Sequence, residues 1–226
     1  MAIQAPSGEE PSTRPAEGTG DPAARLVEAA RALLRERQGP SFTVSQVVRR
    51  AGSSLKSFYR CFESKDELLV ALFEDDSRRG AAALAALVER RAADGRLRAA
   101  VTGLFEFLTL NGLPYAGALV AEHLRLAQDR PAKLRAVLQP YVSVFEREVA
   151  GAMARGEVRA GDPAHDAQLL FNVVVSHLQS LVYQQIEDPP EQVAGGLWAF
   201  CAAALRPEPA GAATGAGAGA ATDEEG

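Results

Sequence analysis

Few residues in this chain could support catalysis or covalent cross-linking. Its two cysteines, Cys61 and Cys201, are remote from each other and form no metal or redox spacing. A disulfide framework is therefore excluded, and a reducing cytoplasm is the expected home. Histidine occurs only as His123, His165 and His177, and no cysteine or glutamate recurs around them at ligand spacing, so no metal site is expected. No glycine-rich phosphate loop follows a strand, and no serine stands in a nucleophile elbow. The chain is accordingly read as not an enzyme, with no cofactor. No apolar run reaches the roughly 18 residues that a membrane span needs. The first residues show no basic start followed by an apolar stretch, so no export is expected. Alternating β-branched and aromatic stretches bounded by turn signals are also missing, which argues against a sheet.

What is present suits a helical globular protein. Of 226 residues, 47% are hydrophobic and 23% charged, enough for a sizeable core. Much of the glycine and proline falls before Asp21 and after Leu205. Residues 1–20 and 206–226 carry too little apolar surface to offset their chain entropy, so both are expected to be mobile tails. Between them the periodicity reads as helix throughout. A first helix opens at Asp21-Pro22 and stops at Gly39-Pro40. A second opens at Thr43 with the capping box Thr43-Val44-Ser45-Gln46 and ends at Gly52. A third runs from Ser53 or Ser54 to about Phe62, and Ser64-Lys65-Asp66-Glu67 forms a further capping box. Further helices are expected near 96–110, 114–128, 132–155, 163–187 and 190–205. Pro140 is expected to kink or divide the 132–155 segment.

The formal net charge of −5 argues by itself against nucleic acid. The charge is segregated, however. Residues 21–79 hold 11 bases and 9 acids, and 37–62 hold Arg37, Arg49, Arg50, Lys56 and Arg60 with no Asp or Glu. That acid-free window is a local electrostatic feature which the average conceals.

Three short helices joined by tight turns, over 21–62, have the form of a helix-turn-helix. Gly52 supplies the turn, and the second helix of the motif presents Ser53, Ser54, Leu55, Lys56, Ser57, Tyr59 and Arg60. Phe58 and Phe62, four residues apart, share the inward face, which turns Lys56 and Tyr59 outward. Lys65 and the N–H groups after Ser64 lie at a helix start, a ready phosphate site. Leu55 on an exposed face would suit a thymine methyl.

The run from Phe42 to Gly52 (Phe-Thr-Val-Ser-Gln-Val-Val-Arg-Arg-Ala-Gly), continued through Phe58-Tyr59, Phe62 and Ser64-Lys65-Asp66-Glu67-Leu68-Leu69, resembles the signature of the TetR family of bacterial transcriptional regulators. The resemblance covers about 50 residues. It departs at Ser53, Lys56 and Cys61, where the family usually has Val, Gly and an aromatic or His. It implies that Thr43, Tyr59 and Lys65 grip phosphates, while Ser45, Leu55, Lys56 and Ser57 face the groove with Arg60 at its edge. Lys56 can read a guanine edge or hold a phosphate, and the second is favoured because phosphate contacts predominate in such interfaces.

The expected fold is therefore all-α: a helix-turn-helix DNA-binding domain over 21–67, and a helical effector-binding and dimerisation domain over 68–205. Helices 163–187 and 190–205 carry apolar residues around more than one stripe, so each needs partners on two sides. One side fits a second copy, and the resemblance implies a homodimer through a four-helix bundle. A lone recognition helix makes too few contacts for a specific site. The resemblance also implies a small effector bound in the second domain. Phe105, Leu108, Tyr115, Leu119, His123, Tyr141, Phe145, Asn172 and His177 are the candidate pocket residues. The sparse charge between Thr102 and Tyr115 points to a mainly hydrophobic effector. The function expected is that of a repressor binding a palindromic double-stranded operator and released by that effector. The alternative is an all-helical protein-interaction domain without sequence-specific DNA binding.

Overall fold

A computed structural model describes residues 21–36, 42–109 and 112–207, apart from the Leu108 side chain. Residues 1–20 and 208–226 of the expected tails, the Gly39-Pro40 stop and Arg37 lie outside the described residues. Within them the chain is helical, and no strand occurs among the described residues. The α-helices are α1 (Pro22–Glu36), α2 (Val44–Arg50), α3 (Leu55–Cys61), α4 (Lys65–Glu89), α5 (Arg96–Thr109), α6 (Leu113–Asp129), α7 (Pro131–Ala154), α8 (Pro163–Val182) and α9 (Pro190–Ala204). A short 3-10 turn, Ala93–Gly95, leads into α5.

The caps explain where the short helices begin. Thr43 accepts from the Gln46 N–H while the Gln46 side chain accepts from the Thr43 N–H at 2.9 Å, the full reciprocal box. Ser54 accepts from Ser57 N–H at 3.1 Å and opens α3 one residue before Leu55. At Ser64 only half of the expected box forms. Ser64 accepts from the Glu67 N–H, but the Glu67 carboxylate turns away to Arg130 and Lys133. Two cations on α7 outcompete one backbone N–H for that carboxylate.

Two longer helices depart from their expected form. α7 runs unbroken through Pro140. Proline removes the N–H that would bond the Ala136 carbonyl, but Ala136 is exposed, so water can satisfy the freed oxygen. α8 stops at Val182, five residues short of the expected 187. Gln184 takes the left-handed conformation at φ 57°, and Gln185 N–H bonds the Ser180 carbonyl at 2.8 Å. This is the closing pattern usually built on glycine, so no residue type announces it.

Two clusters of buried side chains make the core. One holds the inner faces of α1 to α3 and the start of α4, and it also takes in Tyr115, Ala118 and Leu126 of α6 and Leu134 and Val137 of α7. The other packs the rest of α4 with α5, α7, α8 and α9. α4 belongs to both, so it links the helix-turn-helix physically to the helices behind it.

Candidate nucleic-acid interface and ligand cavity

The turn between α2 and α3 sets the angle of the outer helix. Gly52 has φ 59°, and nothing lies within 4 Å of a Cβ built there, so the glycine is required for its backbone angle and not for space. Ser53 N–H bonds the Val48 carbonyl at 2.8 Å and Gly52 N–H bonds that of Arg49 at 3.4 Å, a complete Schellman closure. With seven residues, α3 cannot stand alone. It is pinned by Phe58, fully buried, whose ring meets Tyr59 edge-on at 5.3 Å and Phe62 at 5.9 Å.

The opposite face of α3 is open. Leu55 is 48% exposed and Tyr59 60%, and the pair lie four apart on one row. Lys56 and Arg60 form the adjoining exposed row. Thr43 and Ser45 on the neighbouring helix start are exposed as well, Ser54 is exposed at the cap, and Ser57 is half-buried. The Thr43 hydroxyl is engaged as an acceptor in its cap, which leaves its O–H free to donate. Of the arginines in the acid-free window, Arg50 is tied to Glu36 by two bonds of 2.6 Å, whereas Arg49 is exposed.

Lys65 departs from its expected place. Its ammonium lies 3.3 Å from the buried Glu122 on α6 and 4.7 Å above the Phe42 ring, where it bridges α4 to α6. The phosphate role expected of it is not what this conformation offers. Around it, Arg125 binds Asp66 at 2.6 Å and Glu122 at 2.8 Å. The Arg125 hydrogen bond holds the Asp66 carboxyl below its usual range, and Lys133 and Arg130 do the same for Glu67. Sequence alone offers no signal for this cluster, since its members lie far apart along the chain.

A cavity of about 410 Å³ opens between α1, α4, α5, α6, α7 and α8. Of the candidate pocket residues, Tyr115, Leu119, His123 and Tyr141 line it, beside Leu104, Phe107, Val120, Leu138, Phe171 and Val175. Phe105, Phe145, Asn172 and His177 are not part of this lining. Phe105 and Phe145 are fully buried in the packing behind the wall. Asn172 faces solvent and accepts from Gln168 at 2.9 Å, because α8 turns Phe171, Val175 and Leu178 inward and Asn172 is about 100° round the helix from Phe171. His177 Nδ1 lies 2.8 Å from the Val173 carbonyl oxygen on its own helix. The Leu108 side chain lies outside the described residues.

The polar rim was not anticipated. Arg31 is 3% exposed and binds Glu28, Asp75 at 2.7 Å and Asp76 at 2.8 Å. Burial works against its charge, but three carboxylates more than compensate and keep it charged. Tyr115 donates to Asp76 at 3.1 Å beneath the Arg35 guanidinium. Burial and the nearby Asp76 push the Tyr115 and Tyr141 phenols well up, so both remain protonated donors. Burial pushes the His123 imidazole down, towards its neutral form. One sequence signal existed: Arg31 falls four residues after Val27, inside the apolar stripe of α1. A larger depression of about 820 Å³ crosses the outer side of α1, lined mainly by alanines and charged side chains.

Comparison with known proteins agrees with this geometry. Residues 26–72 match the profile of bacterial regulatory proteins of the tetR family. No curated protein matches the chain. Among solved structures, the regulator FadR of Bacillus subtilis in complex with stearoyl-CoA is similar at TM-score 0.68 and 17% identity, over 81% of this chain and 99% of its own. The fatty acid degradation regulator FadR of Bacillus halodurans gives 0.67 and 17%, over 80% and 95%. NemR of E. coli in its reduced form gives 0.60 and 19%, over 78% and 95%. At these identities the likeness is one of fold. Residues 26–72, which hold the helix-turn-helix, are therefore similar to the bacterial regulatory proteins of the tetR family, and the helical body behind them has the fold of these solved regulators.

Proposed function

We propose that the chain is a non-enzymatic transcriptional repressor, acting in the cytoplasm, that binds a near-palindromic operator as a homodimer and leaves it when a small, mainly apolar effector fills the cavity. The observation that carries the DNA-binding part is the outer face of α3: Leu55 and Tyr59 exposed beside Lys56 and Arg60, with no acid between residues 37 and 62. Exposed large apolar side chains are costly in water, and a groove with thymine methyls and phosphates would cover them. In this reading Thr43, Tyr59, Lys56 and Arg49 would meet phosphates, with Ser45, Ser54, Leu55 and Ser57 facing the base edges and Arg60 at the rim.

Pairing is supported by the outer surface of α8 and α9. No charged residue occurs from Ala167 to Ile186 or from Gln192 to Leu205. Leu169, Tyr183 and Phe200 are exposed there, Phe200 by 64%. A second copy of the same surface would cover them in an isologous contact. Two recognition helices would then reach half-sites about one helical turn apart.

Effector coupling is supported by the position of the cavity, whose wall includes Glu28, Arg31 and Arg35 from the first helix of the DNA-binding unit. A ligand there touches both units at once, and the Lys65–Glu122 and Arg125–Asp66 pairs pass any shift of α6 to the start of α4. The regulator FadR of Bacillus subtilis was solved with stearoyl-CoA, which is consistent with an apolar effector here.

Fluorescence anisotropy with the duplex upstream of the chain's own gene tests the proposal. Affinity is expected to fall steeply between about 50 and 200 mM salt, as phosphate-dominated binding requires. A folded, paired protein that ignores the duplex at the lower salt overturns it.

A further inference from the structure

The cavity wall contains a polar feature that its ion pairs do not account for. Ser77 is 3% exposed and lines the cavity, and its Oγ has no hydrogen-bond partner. A buried hydroxyl left unsatisfied costs about 1–3 kcal/mol, so a fold retains one for a reason. One turn along α4 stands Gly80. A Cβ there would overlap the Tyr141 hydroxyl oxygen and come within 2.7 Å of the Phe107 ring. Glycine within a helix costs about 1 kcal/mol relative to alanine. Here it opens the space through which the Tyr141 phenol crosses from α7 onto α4.

Tyr141 is buried, lines the same cavity, and its hydroxyl finds no partner among the described residues. Positions three apart on a helix share a face, with Cβ atoms about 5–6 Å from each other. Ser77, projecting from α4, and the Tyr141 hydroxyl, resting over Gly80, therefore lie about one helical turn apart on the same strip of the cavity wall. Two O–H donors stand there without acceptors, among the apolar side chains of Leu104, Phe107 and Phe171. Asp76 lies next to Ser77, and its oxygens are taken by Arg31 Nε at 2.8 Å and the Tyr115 hydroxyl at 3.1 Å. The cations that share the lining are held elsewhere, Arg31 and Arg79 on Glu28, Asp75 and Asp76 and Arg35 over the Tyr115 ring, so an uncharged acceptor matches the two hydroxyls better than an anion does.

We infer that Ser77 and Tyr141 form a two-donor clamp for one uncharged oxygen, of carbonyl type, on an otherwise apolar ligand, and that residue 80 is glycine to admit the tyrosine half of the clamp. The inference rests on the effector reading above and adds the chemical class of the ligand and two specificity-determining side chains.

Calorimetric titration of the full chain with three probes of one shape tests it: 4-phenyl-2-butanone, butylbenzene and 4-phenylbutanoate. The ketone is expected to bind more tightly than the hydrocarbon or the carboxylate. Ser77→Ala and Tyr141→Phe should each weaken the ketone by roughly three- to tenfold, the worth of one hydrogen bond, and leave butylbenzene within about twofold. Each variant removes a single oxygen, and Ser77→Ala should melt no lower than the parent without ligand, because the hydroxyl it removes is unsatisfied. Equal affinity for ketone and hydrocarbon, ketone binding unchanged in both variants, tightest binding of the carboxylate, or failure of all three probes to bind overturns the clamp. Operator release is scored separately: a ketone that binds through the clamp but leaves the DNA complex intact overturns the release mechanism and leaves the clamp standing.

Discussion

Phe58 and Tyr59 are neighbours in sequence and face opposite ways, one fully buried and the other turned to solvent. The reason is helical geometry, which rotates successive residues by about 100° and lets only one face of α3 meet the core. Truncating Phe58 to alanine should cost about 3–5 kcal/mol through loss of burial and a residual cavity. Urea denaturation followed by circular dichroism checks this. Lys56→Ala should leave stability unchanged and weaken operator binding, with the slope of log affinity against log salt reduced by about one unit if the ammonium sits on a phosphate. An unchanged slope together with relaxed base preference would place it on a base edge instead. The burial of Phe58 and the exposure of Lys56 are both readable from spacing, because caps and burial within one short helix are local matters. Lys65 shows the limit of such reading: its partner Glu122 is 57 positions away.

At the level of the helix, α4 matters most, because it begins beside the helix-turn-helix and ends against α5 and α7. Its first turn is fastened by Arg125 to Asp66, and by Arg130 and Lys133 to Glu67. Both carboxyls ionise below their ordinary values of 3.8 and 4.5. A depressed value in the folded state means that the stabilisation is complete above the ordinary value and is lost as pH falls through the folded one. The stability of the parent should therefore drop as pH is lowered below about 4.5, and a double variant, Asp66→Asn with Glu67→Gln, should show a flatter profile in that window. Denaturation midpoints measured from pH 6 to 3 make the comparison, and parallel profiles would remove the fastening from the stability of the fold. The existence and order of the helices could be read from apolar periodicity. The end of α8 could not, because Gln184 adopts a backbone angle that its side chain does not encode.

For the molecule as a whole, the uncharged outer surface of α8 from Ala167 and of α9 from Gln192 is the feature that a monomer leaves unexplained. Phe200→Glu places a charge where a partner is expected and should convert a dimer to a monomer in sedimentation, with the fold retained because Phe200 is exposed. Operator affinity should then fall by about 10²–10⁴-fold, since linked half-site binding is lost. A variant that stays dimeric would move the pairing surface elsewhere.

The helical class, the capped helix-turn-helix and the cationic, acid-free stretch around Lys56 are properties of the sequence by itself. They depend on periodicity, on cap residues within three or four positions, and on which charges are near in the chain. The cavity was decided by tertiary structure alone. It places Arg31 of α1 against Asp75 and Asp76 of α4, sets Tyr141 of α7 over Gly80, and excludes Asn172 and His177, which had looked suitable by type. A pocket is made by which helix faces meet, and facing depends on crossing geometry and on long-range pairing that no local pattern records.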